Sequence, residues 1–94
     1  MQLSWSQPAL RDVSALQAYI AQDNPEAAKR QVALISTGVN RLLGFPELGR
    51  PGRRPRTREL VVSKTPFIVA YMLQGEVIHI LRVLHSRRRW PEAF

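Results

Sequence analysis

The feature that most constrains the fold is a pair of apolar runs, residues 67–73 and 76–85, separated by Gln74-Gly75. Because glycine supplies the positive φ of a two-residue turn, this dipeptide between two β-rich runs predicts an antiparallel hairpin. Pairing Leu73 with Glu76 across the turn fixes the predicted register. The expected pairs are Tyr71 with Ile78, Val69 with Ile80, and Phe67 with Arg82.

The rest of the chain predicts two helices and two further strands. Residues 2–5 alternate as a strand does, and residues 58–63 are also predicted to form a strand. Ser6 and Asn24 are expected to cap two amphipathic helices, which end near residue 22 and at Gly44-Phe45-Pro46. The predicted fold class is α+β, in one domain spanning residues 1–94. A two-helix N-terminal hairpin packs on a small, mainly antiparallel curved sheet, in the order β-α-α-β-β-β.

Both faces of the predicted hairpin are largely apolar. The two helices can cover one face, whereas the other would lie bare on a monomer, which is unusual for a large apolar surface. The pattern therefore indicates that the protein works in a complex.

Residues 46–57 contain three prolines, two glycines and four arginines. This composition predicts a loop that joins no regular element. Two interpretations stay open: an ordinary connector, or a mobile basic lip beside a binding face.

Positive charge is concentrated in the second half of the chain. Residues 1–46 carry four basic and three acidic groups, a balance of +1, and residues 47–94 carry ten against four, a balance of +6. Arginine pairs bidentately with carboxylate or phosphate, and all but two of the basic residues are arginine. We therefore expect an acidic partner, either nucleic acid or protein, with a merely solvated basic surface as the alternative.

Several classes of protein are not indicated. The chain has no cysteine, so it has no disulfide and no thiolate metal site. His79 and His85 lie about 20 Å apart on one predicted strand, too far to share a metal. We expect no metal and no cofactor. No run of signal or membrane length is present, so we expect a cytoplasmic protein without membrane contact.

The end of the chain concentrates the groups that can carry chemistry. His85 is the one plausible general acid or base near positive charge, beside Arg87, Arg88 and Arg89. With Arg58 and Arg82 it would nominally suffice for metal-free RNA cleavage, but the same residues serve equally well as a binding patch. Trp90 either stacks on a base or fills a partner pocket, or else packs over the sheet edge.

Six stretches, spread in order over the whole chain, resemble the RelE/ParE toxin superfamily. They are Asn24-Pro25-Glu26-Ala27-Ala28, Gly49-Arg50-Pro51-Gly52, Thr57-Arg58-Glu59-Leu60, Pro66-Phe67-Ile68-Val69-Ala70-Tyr71, the run from Val77 to His85, and Arg89-Trp90-Pro91. The resemblance implies the toxin of a type II toxin–antitoxin pair, of the kind described as plasmid stabilisation proteins that cause growth arrest. It also implies a toxin–antitoxin hetero-oligomer in which an acidic antitoxin wraps the toxin.

The superfamily divides by target. RelE-like members cut mRNA on the ribosome, whereas ParE-like members lack nuclease activity and poison DNA gyrase. RelE-like nucleases typically carry arginine directly after the aromatic residue of the third strand, where this chain has Ile68 after Phe67. The starts of the second helix and of the Thr57 strand look ParE-like. A ParE-like gyrase inhibitor without catalytic residues is therefore the expectation, and a ribosome-dependent endoribonuclease is the alternative.

The candidate residues fall into three groups. The predicted target-binding residues are His85, Arg87, Arg88, Arg89 and Trp90. The predicted antitoxin-binding residues are Arg58, Arg82, Tyr71, Ile78 and Ile80. In the nuclease alternative, the catalytic set is His85, Arg58 and Arg82.

Overall fold

Two helices pack on a five-stranded sheet in this computed structural model, which describes all 94 residues. The elements are β1 (Gln2–Trp5), α1 (Gln7–Ala21), α2 (Pro25–Arg41), β2 (Arg50–Pro51), β3 (Arg58–Val61), β4 (Phe67–Gln74) and β5 (Val77–His85). The predicted α+β class is confirmed, and every predicted helix and strand is present. Neither helix is long and apolar enough to cross a membrane.

Both helices begin at the predicted caps. Ser6 Oγ accepts the backbone N–H of Ala9, and Asn24 Oδ1 accepts that of Ala27, each at 3.0 Å. A side-chain cap of this kind stabilises a helix by about 1 kcal/mol because it satisfies one of the free N–H groups of the first turn.

The strands run in the order β1-β5-β4-β3-β2. The hairpin β4–β5 forms the middle of the sheet, and β3 and β2 extend it by antiparallel pairing. The N-terminal strand β1 lies parallel to β5 at the opposite edge, with Trp5 beside Ile80. The sheet is therefore mainly antiparallel, as predicted.

The predicted hairpin register is wrong. Gln74 pairs with Val77, so the turn is Gly75-Glu76 rather than Gln74-Gly75, and Gly75 takes the positive φ of 58°. Tyr71 consequently faces Ile80. A β-bulge between Ala70 and Tyr71 then adds one residue on β5, which moves the partner of Phe67 from the predicted Arg82 to His85.

The prediction that residues 46–57 join no regular element is also wrong at one point. Arg50 and Pro51 form a short edge strand, pairing with Glu59 and Arg58 of β3. Proline is tolerated there because an edge strand does not need every N–H for the ladder. This pairing holds the loop against the sheet.

The hydrophobic core lies between the helices and one face of the sheet. Its members other than Ala9 are Leu16, Ile35, Val39, Leu42, Leu60, Val62, Phe67, Val69, Tyr71, Ile78, Ile80 and Val83. On the other face the expected bare surface is only partly present. Ile68 and Ala70 are 4% and 1% exposed, whereas Val61 is 54% exposed.

Candidate functional site

The polar groups at the free edge of β5 are satisfied by α1. Pairing with β1 ends at Ile80, and beyond it Ser6 Oγ donates to the carbonyl of Leu81 at 2.8 Å. Asp12 Oδ2 accepts the backbone N–H of Val83 at 2.9 Å. The start of α1 thus takes over the hydrogen bonds that a longer β1 would make.

Arg82 forms a two-pronged ion pair with the same carboxylate. Its Nε donates to Asp12 Oδ2 at 2.7 Å and its Nη2 to Oδ1 at 2.9 Å. These hydrogen bonds raise the pKa of Arg82 above its usual value, partial burial opposes the rise, and the charge of Asp12 adds to it. The guanidinium therefore already has a carboxylate partner inside the chain.

Arg58 and Tyr71 fasten the loop that follows α2. Arg58 Nη1 donates to the carbonyls of Gly49 at 2.7 Å and Glu47 at 3.3 Å. The Tyr71 hydroxyl accepts the N–H of Gly49 at 2.9 Å and donates to the carbonyl of Pro46 at 2.8 Å. Burial raises the pKa of Tyr71, while the Gly49 hydrogen bond and the positive charge of Arg58 oppose that rise.

The three apolar or aromatic residues predicted to touch an antitoxin lie in the core. The side chains of Tyr71, Ile78 and Ile80 are each 0% exposed, because the helices cover them. A partner cannot reach them unless the helices move away. The sequence placed them on a face of the hairpin but gave no indication which face the helices would take.

Glu59 is a polar centre that sequence reasoning missed. Its carboxylate is only 4% exposed and lies 3.3 Å from Arg50 Nη2. It also accepts the backbone N–H of Arg53 at 2.8 Å, and the Nε of that residue lies 3.6 Å away. A usable signal was present, because Glu59 is the one acidic residue between Arg50 and Gly75 in a segment rich in arginine.

His85 ends β5, where its ring packs edge-on against Phe67 with the centroids 5.6 Å apart. Its Nδ1 accepts the backbone N–H of Arg87 at 3.1 Å, so the neutral ring carries its proton on Nε2. Its carbonyl accepts the indole N–H of Trp90 at 3.1 Å. His85 thus connects the sheet to the chain end.

The tail, defined as residues 86–94, presents the arginine cluster. Arg87, Arg88 and Arg89 are all exposed, and none has a carboxylate within 4.0 Å. The Arg88 guanidinium lies 5.5 Å from the centre of the Tyr19 ring on α1. A cleft of about 550 Å³ opens between α1 and the tail, with His85 in its wall.

The structure does not bring the nuclease set together. Arg58 lies opposite Tyr71 and His85 lies opposite Phe67. Phe67 and Tyr71 are four residues apart, about 13 Å along β4. Arg58 and His85 also lie on different strands, β3 and β5, with β4 between them. The target-binding set, in contrast, falls within residues 85–90 and lies together at one end of the sheet.

Comparison with known proteins gives a consistent picture. The model of the family described as "ParE toxin of type II toxin-antitoxin system, parDE" matches residues 3–90. A protein of Sinorhizobium fredii named "Putative toxin Y4kP" is 43% identical over 96% of this chain and 93% of its own length. "Toxin RelE2" of Caulobacter vibrioides is 36% identical over 93% of this chain and 97% of its own length.

Solved structures agree in fold. A chain of the chromosomal ParDE toxin–antitoxin system from P. aeruginosa matches with a TM-score of 0.82 and 30% identity, covering 93% of this chain and 97% of its own. A chain of the intact E. coli RelBE toxin–antitoxin complex matches with a TM-score of 0.57 and 17% identity, over 92% and 96%, which is a likeness of fold alone. The chain belongs to the ParE toxin family of type II toxin–antitoxin systems, within the RelE/ParE superfamily.

Proposed function

We propose that this toxin inhibits DNA gyrase, that its exposed tail makes the contact, and that a cognate acidic antitoxin neutralises it. The observation that carries the proposal is the state of Arg87, Arg88 and Arg89: all three are exposed and none is paired with a carboxylate. Three adjacent unpaired guanidinium groups form a ready surface for an acidic partner. Gyrase is a cytoplasmic enzyme, so the toxin acts in that compartment.

The state of His85 supports binding rather than catalysis. General acid–base chemistry needs a positioned second group, with cations aimed at the developing phosphate charge. Here Arg82 is held by Asp12, Arg58 is held by backbone carbonyls, and His85 uses Nδ1 on the backbone of its own turn.

Neutralisation by an acidic antitoxin is consistent with the apolar and positively charged surface that the fold leaves exposed. Several large apolar side chains remain exposed on the helices, in the loop after α2 and on β3, together with a net charge of +7. They are Leu10, Tyr19, Leu43, Phe45, Leu48 and Val61. Arg58 uses only Nη1 within the chain, so its remaining N–H groups can bind an antitoxin carboxylate.

The test is a supercoiling assay with purified gyrase and purified toxin. Alanine at all three of Arg87, Arg88 and Arg89 should raise the toxin concentration for half-inhibition at least tenfold. The matched control replaces Arg11, Arg30 and Arg41, which are exposed on the helices and also lack carboxylate partners, and should leave inhibition nearly unchanged. An equal loss of inhibition in both triple variants would mean that the tail contributes only its positive charge to gyrase binding.

A parallel assay follows mRNA on translating ribosomes. Transcript cleavage by the wild-type toxin that disappears in His85→Ala, with supercoiling untouched, would establish the endoribonuclease in place of the gyrase inhibitor. Strong salt-dependent binding to DNA alone, with neither activity, would indicate a basic nucleic-acid-binding module instead.

A further inference from the structure

The tail folds back on the body of the protein. After β5, Ser86 donates its N–H to the carbonyl of Pro66 at 2.8 Å, and Arg88 donates to that of His85 at 3.2 Å. The indole N–H of Trp90 then returns to the same His85 carbonyl at 3.1 Å. Residues 86–89 therefore form a loop closed at both ends, with its three arginines facing outwards.

Trp90 makes a second contact, with the loop between β2 and β3. The Arg53 guanidinium lies 3.5 Å from the centre of the Trp90 ring, the close stacking distance of a cation–π pair. Arg53 is itself held by the buried Glu59, which accepts its backbone N–H at 2.8 Å and lies 3.6 Å from its Nε. A chain of contacts thus runs from a buried carboxylate, through Arg53, to the closing residue of the tail loop.

The neighbouring Arg54 fastens the next part of the tail. Its Nη2 donates to the carbonyl of Pro91 at 2.6 Å, and its guanidinium lies 5.7 Å from the centre of the Phe94 ring. Phe94 in turn packs edge-on with Trp90, with the ring centroids 6.4 Å apart. Two adjacent arginines of one loop therefore hold two adjacent residues of the tail.

These contacts give a role to the arginine-rich loop, residues 46–57, to which the gyrase proposal assigns none. One face of the Trp90 ring is occupied by Arg53. Trp90 is therefore placed to hold the tail rather than to reach out from it. Within this loop Arg53 and Arg54 hold the tail, whereas Arg56 is exposed and makes no hydrogen bond or cation–π contact with a tail residue.

We propose that Arg53 and Trp90 are positioning residues that fix the tail so that Arg87, Arg88 and Arg89 meet the target in one arrangement. The proposal rests on the function proposed above. Its physical basis is that a pre-ordered segment does not lose conformational freedom on binding, so an ordered tail binds more tightly than a free one. Loss of one cation–π contact at a partly exposed site lowers the ratio of ordered to free tail about twofold to fivefold.

The first measurement does not depend on any target. The indole N–H of Trp90 is identified by NMR as the resonance that disappears in Trp90→Phe, and its rate of exchange with solvent reports the hydrogen bond to His85. Arg53→Gln should speed this exchange about twofold to fivefold. Arg56→Gln removes the same charge from the same loop and should leave the rate unchanged.

The second measurement is the gyrase assay with the same variants. Arg53→Gln should raise the half-inhibitory concentration more than Arg56→Gln does, by up to about fivefold. Trp90→Phe keeps a ring for Arg53 and should retain more activity than Trp90→Leu, which loses both contacts. An indole N–H bound to the target would be lost equally in both variants, so this rescue by an aromatic ring would exclude that contact as the reason for the loss.

Three results would overturn the proposal. Unchanged indole exchange in Arg53→Gln would show that Arg53 does not hold the tail. Faster exchange in Arg53→Gln, with the potency of both Arg53→Gln and Trp90→Leu equal to that of Arg56→Gln, would show that the held position is not used in binding. A wild-type toxin whose indole N–H is protected but that does not inhibit gyrase would refute both the gyrase proposal and the positioning role. The exchange rates would still report the contact between Arg53 and Trp90.

Discussion

The ion pair between Asp12 and Arg82 joins α1 to the outer end of β5, and its removal should destabilise the protein measurably. Asp12→Ala removes both charge-assisted hydrogen bonds to Arg82 and the acceptor for the Val83 N–H. Hydrogen bonds to charged groups contribute about 1.5–3 kcal/mol each where they are shielded. The two side chains are 22% and 16% exposed, so water replaces part of the loss. We expect a loss of about 3 kcal/mol in the free energy of unfolding.

Arg82→Ala should cost less, because Asp12 still accepts the Val83 N–H in that variant. We expect about 1.5–2 kcal/mol for it and about 3 kcal/mol for the double variant, which gives a coupling energy of about 1.5–2 kcal/mol. The assay is urea unfolding followed by circular dichroism, in which Asp12→Ala should lower the midpoint by about 2 M. Arg11→Ala, an exposed neighbour on the same helix, is the control and should change stability by less than about 0.5 kcal/mol.

Additive effects of the two substitutions would contradict a stabilising ion pair. A coupling energy below about 0.3 kcal/mol would mean that the two side chains do not stabilise each other in solution. Arg82 would then be available to a carboxylate of another protein.

Two further substitutions test how the loop after α2 is fastened. Tyr71→Phe leaves the Gly49 N–H and the Pro46 carbonyl without their partner and should cost about 2–4 kcal/mol in urea unfolding at pH 7. Since the folded pKa of Tyr71 is raised, wild-type stability should fall as the pH rises above about 10, the unfolded value, and this loss should be absent in Tyr71→Phe. Gly49→Ala places a Cβ 2.7 Å from the Tyr71 ring and should cost about 1–3 kcal/mol. Gly75→Ala, in open space at a φ of 58°, should cost about 1 kcal/mol from backbone strain alone, and a larger cost there than at Gly49 would contradict the steric argument.

Much of the candidate site could be located from sequence, but not how its parts are used. The cluster from His85 to Trp90 was recognisable because charge and aromatic residues are adjacent in the chain. The roles of Arg82 and Trp90 were not, because Asp12 and Arg53 lie 70 and 37 residues away from them. A side chain's partner across such a separation depends on topology, which local patterns do not encode.

The hairpin gives the same lesson at the level of register. Its existence followed from one glycine between two β-rich runs, but the position of the turn shifted by one residue and a bulge added another. That bulge decides that Val83 enters the core opposite Val69 while Arg82 pairs with Asp12. A bulge costs little and leaves no reliable mark in sequence, because its energy is set by what packs on either side.

The sequence by itself determined the elements, their caps, the concentration of arginine in the second half and the family. These features depend on neighbours a few residues apart, where backbone and side-chain preferences act directly. Only the tertiary structure decided which face of the hairpin is covered and which arginines are already paired. It also showed that the arginine loop holds the tail. Those outcomes depend on tertiary packing, in which Asp12 pairs with Arg82, 70 residues away, and the buried Glu59 pairs with Arg50 and Arg53 across the β2–β3 edge.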